Sequence, residues 1–424
     1  MASTPLTSPR TGSLAERFLA VRSATRALAA PLSAEDCAIQ SMPDASPVKW
    51  HLAHTTWFFE TFVLSRQDPQ HPPFHPAFKV LFNSYYNAVG DKHPRPQRGL
   101  LSRPSLGEVL AYRERIEQEV ASLLDRGALS PELLALVELG THHEQQHQEL
   151  ILTDLKHLLA SNPLRPPYQK AWPLFPIRPC ERSWIGIEGG LREMGHNGVG
   201  FAFDNESPRH QTWLAPFEIA SHPVTHGDFR RFIEDGGYRR ADLWLSLGWD
   251  LVQARGLEAP LYWEQVDGQW HTFTLRGIMP VEPNTPVCHL SFFEADAFAR
   301  WAGARLPTEA EWEVAAATAP REGNFVESGA FHPLAQREAP APGVMAQAFG
   351  DVWEWTRSDY APYPGFKPAS GAVGEYNGKF MANQYVLRGG SCATPASHMR
   401  ATYRNFFPAE ARWQFSGVRL ARDA

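Results

Sequence analysis

The spacing of apolar residues changes along the chain, near residue 162. Before that point apolar positions recur with helical spacing in four long stretches. The pattern predicts four helices, at about 14–30, about 48–66, from the Ser105/Glu108 capping box to near Gly127, and about 131–159. Four long amphipathic helices favour a bundle, and bundle interiors commonly build metal sites from facing helices.

The rest of the chain has a different pattern. A stretch over 162–179 carries six prolines and is typical of a linker. Short β-like runs with frequent glycine and proline follow, which predict an irregular α+β domain over 180–424. We therefore predict an α+β protein with a flexible N-terminus over 1–13, a helical bundle over 14–161, the linker and the second domain.

Composition narrows the function classes. A net charge of -6 without blocks of like charge argues against nucleic acids and anionic membranes as partners, and favours small-molecule substrates. Four scattered cysteines without a C-x-x-C pair favour reduced thiols and a cytoplasmic location, and no apolar run reaches the roughly 18 residues of a membrane span. The oligomeric state is not determined by these features.

Two histidines, His143 and His147, lie four residues apart in the fourth predicted helix. Side chains at this spacing share one helix face, and neutral imidazole is a ligand for iron, zinc, copper and nickel. Both fall within the apolar stripe, and Gly140 leaves room one turn earlier. The pair therefore predicts a buried metal site; the alternative is two core histidines that are hydrogen-bonded within the protein.

The same residues match the H-E-x-x-H pattern of zinc metalloproteases, in which Glu144 would be the general base. A metzincin would continue with glycine and histidine at the positions of Leu150 and Thr153. No acidic residue lies between Pro163 and Pro179 to serve as a downstream ligand. A zinc metallohydrolase is therefore kept as an alternative, and the third ligand is sought upstream.

The second predicted helix contains two candidates for the third ligand, His51 and His54. His54 lies within the apolar stripe of this helix and His51 lies nearer its edge, so we predict His54. His142 should not bind the metal, because it points about 100° away from His143 on the helix. Three neutral imidazoles would leave one side of a divalent metal open to substrates and oxygen.

These motifs resemble a known family. Leu52-Ala53-His54 and the run from His143 to Glu149 are similar to the DinB-like bundle of the ergothioneine-biosynthetic sulfoxide synthases. The second half resembles the formylglycine-generating-enzyme-like, C-type-lectin-type domain of those enzymes, and the resemblance covers nearly the whole chain. Its motifs there are Arg305–Glu313, Gly350–Thr356 and Arg388–Ser391.

The resemblance implies a non-haem iron(II) enzyme that uses O2 to join the imidazole C2 of hercynine, which is Nα-trimethylhistidine, to a thiol sulfur. The donor would be cysteine or γ-glutamylcysteine, and the product a sulfoxide. Two alternatives keep the fold: a selenosugar donor, or histidine joined to cysteine. A further alternative is a non-catalytic ligand-binding module. A structural calcium ion in the C-terminal domain is also left open.

The resemblance also implies site residues in the long loop over 67–104. The chain is similar to the branch of the family with active-site tyrosines in the bundle, here Tyr85 and Tyr86, one of which could donate a proton to the developing sulfoxide oxygen. Arg95 and Arg98 would clamp the carboxylate of the thiol substrate. The alternatives are packing aromatics and solvated arginines.

Hercynine carries a quaternary ammonium, which aromatic faces recognise. The segment with Asn405, Phe406 and Phe407 resembles the family segment that closes the active site, and Gln146 would face the substrate imidazole from the histidine helix. The alternative for the two phenylalanines is ordinary core packing.

Overall fold

The computed structural model describes residues 12–170, 181–336 and 341–424. Residues 1–11 of the predicted N-terminus, residues 171–179 of the predicted linker and Cys180 lie outside the described residues. Within the described ranges the chain forms two compact units.

The first unit is helical. Its helices are α1 (Leu14–Ala29), α2 (Val48–Phe59), α3 (Ser65–Gln67), α4 (Phe78–Leu81), α5 (Leu106–Asp125) and α6 (Pro131–Ser161). The first, third and fourth predicted helices correspond to α1, α5 and α6. The second corresponds to α2 together with the segment that follows it, up to the end of α3. The second stretch is not a continuous α-helix, because a π-helical segment, Glu60–Leu64, separates α2 from α3. In the described chain no helix is long and apolar enough to cross a membrane.

Side-chain caps explain where the long helices begin. The hydroxyl oxygens of Ser13 and Ser105 accept hydrogen bonds from the backbone N–H three residues later, in reciprocal capping boxes. Ser130 caps α6 in the same way through the N–H of Leu133, and Pro131 occupies the first helical position. These caps compensate for backbone donors that have no partner within the helix.

Helix α2 is buried along all 12 of its residues and packs against α5 and α6. Gly140 on α6 shows how closely the helices approach. A Cβ atom at Gly140 would lie 2.7 Å from a ring carbon of Phe59 and 2.8 Å from Phe58. A larger residue would push α6 away from α2, because protein interiors are close-packed.

Two segments from the second half of the sequence belong to the helical unit, Pro368–Tyr376 and Thr394–His398. The second segment lies on α6, where Gln145 donates to the Ser397 hydroxyl at 2.7 Å and Thr394 donates to the Glu149 carboxylate at 2.7 Å. The division predicted at residues 162–179 did not anticipate these segments, because nothing in local periodicity reports a contact about 250 residues away.

The second unit contains small sheets and four described helices, α7 (His226–Glu234), α8 (Ser246–Arg255), α9 (Phe292–Trp301) and α10 (Glu309–Ala316). Its strands are β1 (Trp184–Ile187), β2 (Gly190–Met194), β3 (His210–Leu214), β4 (Phe217–Ala220), β5 (Trp263–Val266), β6 (Gln269–Thr274), β7 (Gly277–Pro280), β8 (Trp353–Asp359), β9 (Tyr385–Arg388), β10 (Asn405–Phe407), β11 (Ser416–Gly417) and β12 (Ala421–Asp423). They form sheets in the orders β1-β4-β12, β10-β9-β8-β11, β2-β3 and β5-β6-β7. The β8–β11 pair is parallel and the others are antiparallel.

Strand β8 lies in the core of this unit and carries a buried carboxylate, Glu354. The Arg419 guanidinium pairs with Glu354 at 2.7 Å and also donates to the backbone oxygens of Ala346 and Gln347. This guanidinium supplies the positive charge that the carboxylate needs. Calcium in this domain remains a prediction, because the histidine group that could hold a metal among the described residues lies in the helical unit.

Candidate metal centre

Three buried imidazoles converge in the helical unit. His54 comes from α2, and His143 and His147 come from α6. One ligand nitrogen from each lies within 4.8 Å of the other two. The ring centroids are 4.6 Å apart for His143 and His147, and 5.0 Å and 4.8 Å from His54 to each. The structure thus brings together the three residues predicted from helical spacing.

The nitrogens of this cluster are arranged as a metal site requires. The His54 Nδ1–H donates to the Phe82 carbonyl at 2.6 Å, so Nε2 carries the lone pair. Nε2 of His54 and both nitrogens of His143 are buried and have no hydrogen-bond partner among the described residues. Buried polar atoms normally have partners, and a bound cation would take up the lone pair of His54 Nε2 and the lone pair of one His143 nitrogen. The donor set fits a divalent transition metal.

Burial also keeps these imidazoles in the form that binds metals. Loss of solvation lowers the pKa of His143 to about 3. The pKa values of His54 and His147 lie well below the usual range, mainly through burial and then through the neighbouring His143. The three rings are therefore neutral near pH 7, and neutral imidazole is the metal ligand.

The two neighbouring histidines that were not predicted as ligands have protein partners. His51 lies beside the cluster, with its Nδ1 2.8 Å from Nδ1 of His147 and its Nε2 3.1 Å from the Asp154 carboxylate. Nδ1 of His142 lies 2.9 Å from Nδ1 of His398. Neither belongs to the group whose ligand nitrogens converge.

Glu144, the residue that a zinc metalloprotease would use as its base, is held elsewhere. One carboxylate oxygen accepts from Arg22 at 2.9 Å and the other from Arg113 at 2.7 Å. All three side chains are fully buried. Despite the cost of burial, these guanidinium groups lower the pKa of Glu144 to about 2. Glu144 is a buried structural anion and cannot take a proton from a metal-bound water, which argues against the metallohydrolase.

The predicted tyrosines lie near the cluster. Tyr86 is buried, and its ring contacts Trp57 at 5.5 Å between centroids; Trp57 in turn stacks on His54 at 5.5 Å. Tyr85 contacts Tyr86 and also Tyr376, which contacts His143 at 5.4 Å. Burial raises the pKa of both Tyr85 and Tyr86, so their hydroxyls stay protonated.

Tyr376 is one of the aromatic residues around the histidine cluster, and the sequence analysis did not predict it. It lies in a segment without helical or strand periodicity, more than 200 residues after His143. The Glu375 carboxylate beside it accepts from the backbone N–H groups of Asn87 and Ala88, at 2.9 Å and 2.8 Å. A carboxylate that anchors the loop directly after Tyr86 leaves no signal in sequence spacing.

The two predicted arginines have different environments. Arg98 is buried, lies 3.3 Å above the Trp50 ring and donates to the Ser46 hydroxyl at 2.9 Å. Burial, and then the neighbouring Arg95, lower the pKa of Arg98 to about 9. None of the ion pairs found among the described residues includes Arg98. Arg95 is exposed and donates to the Asp44 carbonyl.

The residues predicted to contact hercynine lie in different units. Gln146 is half-buried on α6, directly before His147. Asn405, Phe406 and Phe407 form β10 in the second unit and are half-buried. Phe406 stacks on Tyr360 with ring centroids 4.0 Å apart, and Phe407 makes an edge contact with Trp413 at 5.6 Å.

Comparison with known families matches the two units separately. Residues 17–151 match the DinB superfamily, and residues 178–342 and 342–424 match the sulfatase-modifying factor enzyme 1-like domain. The fold and site thus define a DinB-type bundle that carries a histidine cluster and is followed by a sulfatase-modifying-factor-type domain. The predicted α+β class and the order of the two folds are confirmed.

Whole-chain relatives give the family. The chain is 34% identical to the hercynine oxygenase of Mycolicibacterium thermoresistibile over 90% of its own length and 88% of that protein. It is also 34% identical to the hercynine oxygenase of Mycobacterium tuberculosis, over 90% and 92% of the two chains. Ergothioneine biosynthesis protein 1 of Schizosaccharomyces pombe is 27% identical over 53% of this chain and 28% of that protein. The chain belongs to the hercynine oxygenase family, as its motifs predicted.

Proposed function

We propose that this protein joins the imidazole C2 of hercynine to the sulfur of a thiol substrate and oxidises the sulfur to a sulfoxide. The overall reaction balances as hercynine plus thiol plus O2 giving the hercynyl sulfoxide and water. One oxygen atom ends on sulfur and the other in water. The observation that carries the proposal is the convergence of three buried, neutral imidazoles in a chain of the hercynine oxygenase family.

In this proposal His54, His143 and His147 hold iron(II). The metal would bind the thiolate, activate O2 and accept electrons, which is chemistry that protein side chains cannot supply. The residues around it exclude water, because α2 and α6 bury the cluster among aromatic rings such as Trp57 and Phe58. Exclusion of water limits side reactions of reactive species.

Tyr85 or Tyr86 acts as the proton donor in the proposal. Their hydroxyls remain protonated and lie in one aromatic cluster with Tyr376, which touches the His143 ring. A positioned phenol can donate a proton to the developing sulfoxide oxygen. Asn83 fixes this part of the loop, since its side chain accepts from the Tyr86 N–H and donates to the Tyr86 carbonyl.

Arg98 binds the carboxylate of the thiol substrate in this proposal, with Arg95 as a second contact. A buried guanidinium needs a counter-charge, and Arg98 forms no ion pair among the described residues, although the Asp154 carboxylate acts on it at longer range. Arg98 lies on the Trp50 ring, and that ring stacks on His54 with centroids 4.5 Å apart. This position supports a binding site for the thiol substrate next to the proposed metal. Cysteine and γ-glutamylcysteine both carry such a carboxylate.

Gln146 is proposed to bind the hercynine imidazole, and Asn405, Phe406 and Phe407 to bind its amino-acid end. Gln146 supports this role by its place three residues after His143 on α6, because residues three apart share a helix face. The aromatic faces around Phe406 and Phe407 have the chemistry that a quaternary ammonium selects. A cytoplasmic location is also proposed, because four scattered cysteines without a C-x-x-C pair favour reduced thiols.

Mass spectrometry of the products tests the proposal. Iron(II)-loaded protein is incubated in air with hercynine and, separately, cysteine, γ-glutamylcysteine or a selenosugar, and with histidine plus cysteine. We expect a hercynyl sulfoxide with one of the two thiols, dependent on iron and O2. A selenium-linked product alone, or a histidine product alone, would reassign the substrates. No product with any donor would favour a non-catalytic binding module.

A further inference from the structure

We propose that Asp154 and His51 are positioning residues that fix the tautomer of His147, so that the lone pair of its Nε2 is presented to the metal. The inference rests on the proposed function, because it takes His147 as a metal ligand. It adds two residues that do not touch the metal to the machinery of the site.

The three side chains form a chain of hydrogen bonds within the helical unit. The Asp154 carboxylate lies 3.1 Å from Nε2 of His51, and Nδ1 of His51 lies 2.8 Å from Nδ1 of His147. The side chains are 5%, 2% and 8% exposed, so water does not compete for these contacts. Asp154 and His147 are seven residues apart on α6, two turns along one face, and His51 reaches them from α2.

The direction of the protons follows from the donors available. Oδ2 of Asp154 accepts from the backbone N–H of Ser46 at 2.8 Å, and the same oxygen faces His51. His51 therefore carries its proton on Nε2 and leaves a lone pair on Nδ1. A lone pair 2.8 Å from Nδ1 of His147 requires a proton on that nitrogen. Neutral His147 then has its free lone pair on Nε2.

His54 is oriented by the same principle with a different acceptor. Its Nδ1–H donates to the Phe82 carbonyl, which also leaves Nε2 for a metal. Metal-binding histidines commonly donate their other N–H to a carboxylate or carbonyl, which fixes the ring and raises its basicity. At His147 the acceptor is a second imidazole, which is a suitable acceptor only while Asp154 holds its proton on the far nitrogen.

Ser46 links this chain to the arginine proposed for the thiol substrate. Its backbone N–H donates to Asp154, and its hydroxyl accepts from Arg98 at 2.9 Å. The residue lies just before α2, the helix that carries His51 and His54. Asp154 is thus held in place from outside α6, as a positioning residue should be.

Metal affinity is the first readout. The metal-free full-length protein is titrated with cobalt(II), followed by its visible absorption bands, and with iron(II). We expect Asp154→Ala and His51→Leu to weaken binding by roughly 10–100-fold, the usual effect of removing a partner of a ligating histidine. His51→Asn, nearly isosteric with leucine, keeps an acceptor near the position of Nδ1 and should recover part of the loss. Asp154→Asn, which keeps an acceptor oxygen, should fall between wild type and Asp154→Ala.

The tautomer itself is the second readout, and a merely structural role would not change it. Nitrogen-15 NMR of the metal-free protein with labelled histidines should show His147 protonated on Nδ1 in the wild type and as a mixture of tautomers in Asp154→Ala. His71→Gln is the matched control, because His71 also pairs with a carboxylate, that of Glu119 at 2.6 Å, but does not belong to this chain of hydrogen bonds. It should leave affinity and the His147 signal unchanged.

Unchanged affinity and an unchanged His147 tautomer in Asp154→Ala and His51→Leu would overturn the proposal. Equal losses in His51→Asn and His51→Leu would also overturn it, since the acceptor would then be irrelevant. Circular dichroism of each variant separates these results from unfolding, and a variant that loses helicity is replaced by its milder partner. Failure of the proposed function is distinct: the wild type would bind metal with normal affinity but form no hercynyl sulfoxide.

Discussion

Two buried polar clusters lie in the helical unit and differ in how their polar atoms are paired. The arginine–glutamate cluster of Arg22, Arg113 and Glu144 has a guanidinium on each carboxylate oxygen. In the histidine cluster of His54, His143 and His147, three ring nitrogens have no hydrogen-bond partner in the part of the chain that the structure describes. Both clusters include residues of α6, and His143 and Glu144 are neighbours in sequence.

The difference distinguishes polar groups that are buried to stabilise the fold from polar groups that are buried to bind a ligand or metal. Burying a polar group costs free energy unless it is paired. In the arginine–glutamate cluster the opposite charges pair with one another, although Nε of Arg22 and Nε of Arg113 have no hydrogen-bond partner among the described residues. A buried cluster with unpaired acceptors is stabilised when a bound metal or ligand takes up their lone pairs. The residues of the H-E-x-x-H string therefore have two different environments: its histidines belong to the cluster that could hold a metal, and its glutamate pairs with buried arginines.

The largest expected effect comes from the histidine cluster. His54→Ala, His143→Ala or His147→Ala should each abolish tight iron binding and turnover, because two imidazoles no longer define the site. Metal analysis of the purified variants and a product assay measure this. His142→Ala is the control, since His142 lies outside the cluster and should keep its iron. Full iron content in any of the three variants would remove that residue from the ligand set.

The arginine–glutamate cluster should respond in stability. Glu144→Gln leaves Arg113 without its ion-pair partner and Arg22 with only the more distant Glu117 carboxylate at 3.5 Å, which we expect to lower the free energy of unfolding by about 3–5 kcal/mol. Urea unfolding followed by circular dichroism measures the change. Glu132, at the exposed start of the same helix, provides the control Glu132→Gln, with little effect expected. If Glu144→Gln kept full stability and lost only activity, the metallohydrolase would return as a candidate.

The next prediction concerns proton transfer by Tyr85 and Tyr86, which lie near the histidine cluster. Loss of the proton donor by Tyr85→Phe or Tyr86→Phe should slow sulfoxide formation by roughly 100-fold or more, with little effect on iron content. Rates and product ratios under saturating substrate distinguish the two residues. Tyr112→Phe is a matched control, because its buried hydroxyl donates to Glu60 at 2.6 Å, away from the cluster. Unchanged rate and product ratio in both single variants would reduce the pair to packing aromatics.

Substitution of Arg98 is expected to have the smallest effect of the four predictions. It is a buried guanidinium like Arg22 and Arg113, but among the described residues it forms no direct ion pair, and the Asp154 carboxylate acts on it only at longer range. Arg98→Gln should raise the KM for the thiol about 10–100-fold, the range for a hydrogen bond to a charged group. The exposed Arg95→Gln should raise it less. Equal or negligible effects of both substitutions on KM would place the substrate carboxylate elsewhere.

Much of the helical unit could be predicted from the sequence, because its signals are local. Capping serines, helical periodicity and the spacing of His143 and His147 all act within a few turns. The choice of His54 over His51 also followed from the apolar stripe. The structure places His54 in the converging group and His51 beside it.

What could not be predicted depends on contacts between distant residues. Tyr376 reaches the histidine cluster from a loop, and Arg22 and Arg113 reach Glu144 from two other helices. The i,i+4 pattern cannot show that Glu144 faces arginines while its neighbour faces an imidazole cluster. The π-helical segment after α2 was missed for a related reason, because Glu60–Leu64 reads as ordinary helix in periodicity.

The most direct test of the account combines a substitution in the histidine cluster with analysis of the reaction product. Iron(II)-loaded wild type and His143→Ala are incubated with hercynine, a thiol and 18O2, and the products are analysed by mass spectrometry. The account predicts a hercynyl sulfoxide that carries one 18O atom from the wild type and no such product from His143→Ala. The same labelled product from His143→Ala, or iron-loaded wild type that forms no hercynine adduct with any thiol, would contradict it.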